Sequence, residues 1–418
     1  MDSSRLLVDA IALAWPELLA LPDLGPDGVA ALESALLPAL RELESTGTVE
    51  AEYTVEDAFA SWPAAWARVR QLAAVLLEAD LTRGPGIPGA VAHERYVEVP
   101  VHYATDRAAT GRTEPERRFG GDRGELSFGV ACVSIPDDHR MGGLEKPQLW
   151  RLQFRPDPAK HVVLLGVDPL DRAAFTVRTS AAIAGGDLLL FVHGYNVAFA
   201  DAARRAAQIA YDLNFPGVPM LYSWPSRAQL HAYVADQNNA DETAGHFADF
   251  LDLALTGVGA GRVHAIAHSM GNRVLTDGLA TLGPDAARHL GQVAFAAPDV
   301  DASSFTQQAA RFAGRATGYT LYASSNDEAL RASQMVQGYP RAGQAGPDIL
   351  VVDGVDTIDA SLLETGLMGH AYFGDRTSVL SDLFDLIRHG HPPAERFGLR
   401  GRKNRAGRDY WLFSALAN

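Results

Sequence analysis

Arg262-Val263-His264-Ala265-Ile266-Ala267-His268-Ser269-Met270-Gly271-Asn272-Arg273-Val274-Leu275 decides how the rest of the chain is read. An apolar run with β-branched members leads into a turn of small residues, and a helical pattern follows. A serine hydroxyl is a poor nucleophile unless it is exposed, aligned with a base and set beside donors for an oxyanion, and a strand-to-helix turn supplies that setting. Ala267 and Gly271 are small enough for the backbone to pass close to its neighbours, and the helix start after Ser269 favours negative charge. Ser269 is therefore the candidate nucleophile. Alanine at 267, where glycine is commoner, is a light departure from the usual pattern; a serine that merely caps a helix is the bland alternative.

Working outward, Leu188-Leu189-Leu190-Phe191-Val192-His193-Gly194-Tyr195-Asn196 is a second apolar strand, and it ends in His-Gly. In strand–turn–helix hydrolases the turn after such a strand supplies one oxyanion donor and the residue after the nucleophile supplies the other. That assigns the backbone amides of Tyr195 and Met270. His193 reads as a brace for its loop. From residue 186 onward strands and helices alternate: 188–192, 201–213, 218–223, 241–255, 263–267, 272–282 and 292–297. This is the signature of βαβ units and a mostly parallel sheet covered by helices. Ahead of it, residues 94–103, 125–135 and 160–166 read as opening antiparallel strands.

A nucleophilic serine needs a base and an orienting acid, expected in the order Ser, Asp or Glu, His. A late strand beginning at Gly318 runs into Ser324-Ser325-Asn326-Asp327, which places Asp327 as the acid. Asp299, at the end of the preceding strand, is the rival. A strand over 348–352 precedes a loop containing Gly369-His370-Ala371, and His370 is the expected base. Trp224, in Tyr222-Ser223-Trp224-Pro225-Ser226, is expected either to line the pocket or to pack under a loop. His264 and His268 read as packing or hydrogen-bonding residues, and His389 and His391 as cations at a helix end. Tyr233 and Asp236 are left without a role.

The remainder is compositional. The chain has 418 residues, 47% of them hydrophobic, with 51 acidic against 36 basic side chains. That length suggests two domains. The acidic balance argues against an extended nucleic-acid surface and against attraction to anionic membranes. The single cysteine, Cys132, cannot form an internal disulfide. No apolar run is long enough to span a bilayer, no secretory leader is evident, and a cytoplasmic location is the expectation. Amphipathic helices before residue 81 and the breaker-rich Thr82-Arg83-Gly84-Pro85-Gly86-Ile87-Pro88-Gly89 predict a small all-helical domain over 1–90. A catalytic domain over 91–418 then ends in a basic tail, which reads as a solvated end. No metal-ligand spacing and no glycine-rich phosphate loop occurs, so no cofactor is expected.

Together Phe191-Val192-His193-Gly194-Tyr195-Asn196, Tyr222-Ser223-Trp224-Pro225-Ser226, Ala267-His268-Ser269-Met270-Gly271-Asn272-Arg273 and Gly369-His370-Ala371-Tyr372-Phe373 resemble a bacterial α/β-hydrolase family catalogued as domain of unknown function 900. His102-Tyr103-Ala104-Thr105-Asp106-Arg107 and Gly124-Glu125-Leu126-Ser127-Phe128-Gly129 are similar to its opening region. The likeness covers about residues 95–390. A small-molecule ester or lipid is the partner expected for a serine nucleophile of this kind; the likeness itself implies an α/β-hydrolase fold of serine esterase or lipase type with Ser269, Asp327 and His370 as triad. It does not imply a substrate. Lipase, thioesterase, amidase and acyltransferase action share this machinery. A different class of function, an effector whose N-terminal helices bind a protein partner that controls the hydrolase, is the alternative.

Overall fold

In the computed structural model, residues 86–140, 143–145, 156–229, 232–325, 338–361, 379–396 and 398–413 are described. The expected N-terminal helices lie outside them. Pro85–Ala394 with Arg400–Phe413 forms one compact unit, built on one twelve-stranded sheet.

The strands are β1 (Val91–Ala92), β2 (Tyr96–Ala109), β3 (Phe119–Pro136), β4 (Val163–Leu170), β5 (Leu188–Val192), β6 (Val218–Ser223), β7 (Val263–His268), β8 (Leu290–Ala296), β9 (Gly318–Ala323), β10 (Asp356–Asp359), β11 (Leu399–Lys403) and β12 (Asp409–Phe413). Their order is β11-β12-β10-β9-β8-β7-β5-β6-β2-β3-β4, with β1 beside β2. The opening strands β2, β3 and β4 pair antiparallel, as expected. From β2 through β6, β5, β7, β8, β9 and β10 to β12 every pairing is parallel. All residues of β5, β6 and β8 are buried, which is why they read as continuous apolar runs rather than alternating ones.

Helices cover both faces. Successive strand residues point to opposite sides: on β2, His102 meets Phe175 and Thr179 of α1 (Arg172–Ile183), while Tyr103 meets Phe199 of α2 (Phe199–Asp212). The α1 face also carries α4 (Ala244–Asp252), which follows α3 (Tyr233–Glu242); Phe247 and Phe250 of α4 pack on Tyr222 of β6. Next on that face come α5 (Gly271–Thr281) and, after the short α6 (Pro284–Ala287), α7 (Ala302–Phe312), whose Phe305 and Phe312 meet Phe295 of β8. On the other face, Tyr322 of β9 donates to Asp382 of α8 (Val379–His389).

Two expectations need correction. Residues 348–352 are not a strand: Ile349 and Val352 are buried, but they sit in turns, and the strand that pairs with β9 is β10. Nor are the C-terminal basic residues a free tail. Arg400, Arg402 and Lys403 belong to β11, and Arg405 and Arg408 to the connection between β11 and β12; β12 pairs with β10, and Arg405 and Lys403 meet Asp348 and Asp409. Charged side chains on such an edge discourage pairing with a further strand.

Candidate active site

Register sets the site. Val192 of β5 is level with Ala267 of β7, His268 with Ala296 of β8, and Ala296 with Tyr322 of β9. The residues that follow these strands therefore emerge along one sheet edge. In open parallel sheets, ligands bind in the crevice outside that carboxyl edge.

Ser269 adopts φ 49°, a left-handed conformation costly for a residue with a Cβ. Of the six non-glycine residues with positive φ among those described, Asn196, Ala228, Ser269 and Ala297 follow β5, β6, β7 and β8. Backbone held in sparsely populated regions gathers where function requires it. The surroundings fix the Ser269 turn. Its amide donates to the Ala296 carbonyl at 2.9 Å, and its own carbonyl accepts from the amides of Asn272 and Asp299, each at 3.1 Å. Buried Asn272 adds its Nδ2, which donates to the carbonyls of Ser269 (2.9 Å) and Ala296 (3.1 Å). The serine remains half-exposed. Met270 follows as the N-cap of α5, so its N–H belongs to the donors a helix start leaves without an intrahelical partner.

Gly271 and Gly194 explain why glycine stands at these turns. A Cβ on Gly271 would lie 2.3 Å from the His193 carbonyl oxygen, and one on Gly194 would lie 3.1 Å from the Ser269 Cβ. The loop carrying Tyr195 thus packs directly against the serine turn.

His193 is buried and neutral. Burial first, then the adjacent Arg107 charge, hold its pKa well below the usual imidazole range. Nδ1 donates to the Gly194 carbonyl at 2.8 Å, and Nε2 receives Arg107 Nη2 at 3.2 Å. Both nitrogens are engaged, as a loop brace requires. Trp224 is also fully buried: its indole Nε1 donates to the His193 carbonyl at 2.7 Å and its ring stacks on the His193 ring. Packing under a loop describes these contacts.

Asp299 follows β8 and is buried. Its carboxylate meets Arg341 Nε at 3.2 Å and accepts from the Tyr233 hydroxyl at 2.8 Å. The Tyr233 ring packs edge-on against Tyr195, with centroids 5.4 Å apart. Asp327 and His370 lie outside the described residues. Two groups near the turns carry more than the sequence reading gave them. Asp236 of α3 accepts from the Ser226 hydroxyl and the Arg227 amide, and Arg107, at the end of β2, reaches into the β5 and β6 loops. The charged pair Asp106-Arg107 inside a β-rich segment was the available signal for the latter, because a strand interior rarely admits such a pair without a use for it.

Among the described residues no helix is long and apolar enough to cross a membrane. In a comparison with curated proteins, none matches this chain. The family described as alpha/beta hydrolase of unknown function (DUF900) matches residues 175–388, a shorter span than the motifs suggested, beginning after β4. That match covers just over half of the chain and runs from α1 to α8 through every turn of the site, and the protein belongs to this alpha/beta hydrolase family.

Proposed function

We propose that the protein is a serine hydrolase that cleaves carboxylic esters through an acyl-enzyme on Ser269. The observation that carries this reading is the half-exposed serine held at positive φ between a buried strand and a helix start, with Gly194 against its Cβ. Strain of this kind persists only where the surroundings over-determine it.

In the proposed cycle, Ser269 Oγ attacks the ester carbonyl carbon while His370 takes the hydroxyl proton. Negative charge builds on the carbonyl oxygen, where the amides of Tyr195 and Met270 stabilise it. Collapse expels the alcohol, which receives its proton from His370. Water then attacks the acyl-enzyme by the same route, releasing the acid and restoring the serine. Asp327 orients the imidazole and stabilises its cationic form. Support for Asp327 comes from the end of β9 at Ala323, two strands beyond the nucleophile strand, and from the engagement of the Asp299 carboxylate with Arg341 and Tyr233.

Ser269→Ala tests the proposal. Turnover of short-chain activated esters and covalent labelling by a fluorophosphonate should both disappear while the circular dichroism spectrum is retained. Labelling at the wild-type rate would refute it.

A further inference from the structure

Arg107 lies outside the span matched by the family, on β2, and is almost completely buried. Burial lowers its pKa to about 10, and the nearby Asp106 and Asp236 charges work in the opposite direction. At neutral pH the guanidinium keeps its charge in the interior. No carboxylate bonds to it directly among the described residues, and its five N–H donors are all used on other groups. Nε donates to the Ser223 hydroxyl at 2.8 Å. One terminal nitrogen reaches the carbonyls of Gly120 (3.0 Å) and Ser226 (2.7 Å). The other reaches His193 Nε2 (3.2 Å) and the Val197 carbonyl (2.7 Å).

These partners form a pattern. Ser223 and Ser226 are the two ends of the turn after β6. His193 and Val197 are the two ends of the loop after β5, with Tyr195 at its middle. A buried cation is costly to keep, and a rigid planar fork is the side chain best suited to holding several acceptors in one fixed plane. The loop it grips presses on the nucleophile turn through Gly194, so displacing its ends displaces the Tyr195 amide relative to Ser269.

We propose that Arg107 is the positioning residue of the oxyanion loop: its guanidinium fixes both ends of residues 193–197 and thereby the amide that receives the developing charge. The inference rests on Ser269 being the nucleophile. Such a residue acts on the transition state and leaves ground-state binding almost untouched, because the donor is strained into use only when the carbonyl oxygen becomes an oxyanion.

The test is Arg107→Lys in the full chain. Lysine keeps the charge but presents its donors from a single nitrogen and cannot bridge both ends of both loops. Measurements are kcat and KM on a short-chain activated ester, and inhibition by a trifluoromethyl ketone, whose tetrahedral adduct on serine needs the same oxyanion donors. The variant should lose roughly 10²-fold in kcat, with KM within about twofold, and ketone inhibition should weaken by about the factor lost in kcat/KM. A folded variant that loses less than about threefold in kcat, or that loses kcat with ketone inhibition intact, overturns the inference. Should Arg107→Lys melt below the assay temperature, Ser223→Ala, which removes the Nε acceptor together with the hydroxyl's 3.2 Å contact to His193 Nε2, replaces it. A loss of about three- to tenfold with the same split supports the inference, and unchanged kcat overturns it. Fluorophosphonate labelling of the wild type is read in parallel. An unlabelled wild type refutes the serine-hydrolase reading and the inference with it, whereas a labelled wild type with an unaffected Arg107→Lys refutes the inference alone.

Discussion

A Cβ placed on Gly194 would stand 3.1 Å from the Cβ of Ser269, 2.9 Å from His268 Nδ1 and 3.0 Å from the His268 carbonyl oxygen. The loop after β5 and the turn after β7 are therefore in contact at the point where their strands end. A methyl group there cannot be taken up by one flexible side chain alone, because the His268 carbonyl and the Ser269 Cβ are fixed to the turn. Gly194→Ala is expected to keep the fold and to lower kcat by on the order of 10²-fold, the scale on which displacements of about 1 Å act. Ester turnover beside a thermal melt checks this; full activity would mean the two loops adjust independently.

Gly271 predicts a different outcome, because backbone alone surrounds it. A Cβ would meet the His193 and Val192 carbonyl oxygens at 2.3 and 2.8 Å. Neither can rotate away, so Gly271→Ala should destabilise by about 3 kcal/mol or more, the upper end of overpacking. Gly245, in α4, has nothing within 4 Å of its built Cβ. Gly245→Ala should stabilise by up to about 1 kcal/mol through the helix preference for alanine. Urea melts of the two variants give the contrast, and similar effects from both would contradict the packing argument.

A third prediction concerns pH and lies away from the site. His139 is buried between Asp212, 2.9 Å from Nε2, and Glu145, 2.8 Å from Nδ1. Burial opposes the imidazolium, but the two carboxylates outweigh it and raise the pKa to about 9. The folded protein binds this proton more tightly than the unfolded chain does. The resulting stability is fully present below the ordinary imidazole value near 6.5 and is lost as pH rises through about 9. The linked loss is on the order of 3 kcal/mol between those limits. His139→Gln should flatten that part of the stability profile, measured by urea denaturation from pH 6 to 10; an unchanged slope would place the titrating group elsewhere.

The alternation from β5 to β8 was legible because each buried parallel strand is a short apolar run and each helix shows its own period. The turn that carries Ser269 was legible for the same reason, since the strand, the turn and the helix around it are all local in sequence. What failed was non-local. Residues 348–352 contain Ile349, Leu350, Val351 and Val352, a better strand by composition than Asp356-Thr357-Ile358-Asp359. Pairing with β9 nevertheless selects the second, with Thr357 and Ile358 buried and the first run folded into turns as core filling. The basic segment looked like a solvated end because its charges do face outward, as they would on an edge strand. Arg107 could be seen as a charged residue in a strand, but no spacing reveals that its donors converge on two loops that arrive 86 and 119 residues later.

The last prediction separates the two acids. Register brings the ends of β8 and β9 to the edge where Ser269 sits, so either strand can in principle deliver a carboxylate. The environment of Asp299 argues for a supporting role: Arg341 and Tyr233 hold its carboxylate, and its amide is tied to the Ser269 carbonyl. An acid that orients an imidazole must give one oxygen to the ring N–H and favour the cation that forms during proton transfer. Replacing the true partner by asparagine keeps the shape of the site but presents a poorer orienting group, and a loss of about 10⁴-fold in kcat is the scale known for such a change in serine proteases. Asp327→Asn is expected to show that loss. Asp299→Asn should cost far less in kcat and should lower the melting temperature instead, because it removes the buried Asp299–Arg341 ion pair. The measurement is kcat on a short-chain activated ester beside a thermal melt for each variant. The reverse ranking would assign the acid to the end of β8, with Ser269 and His370 keeping their roles.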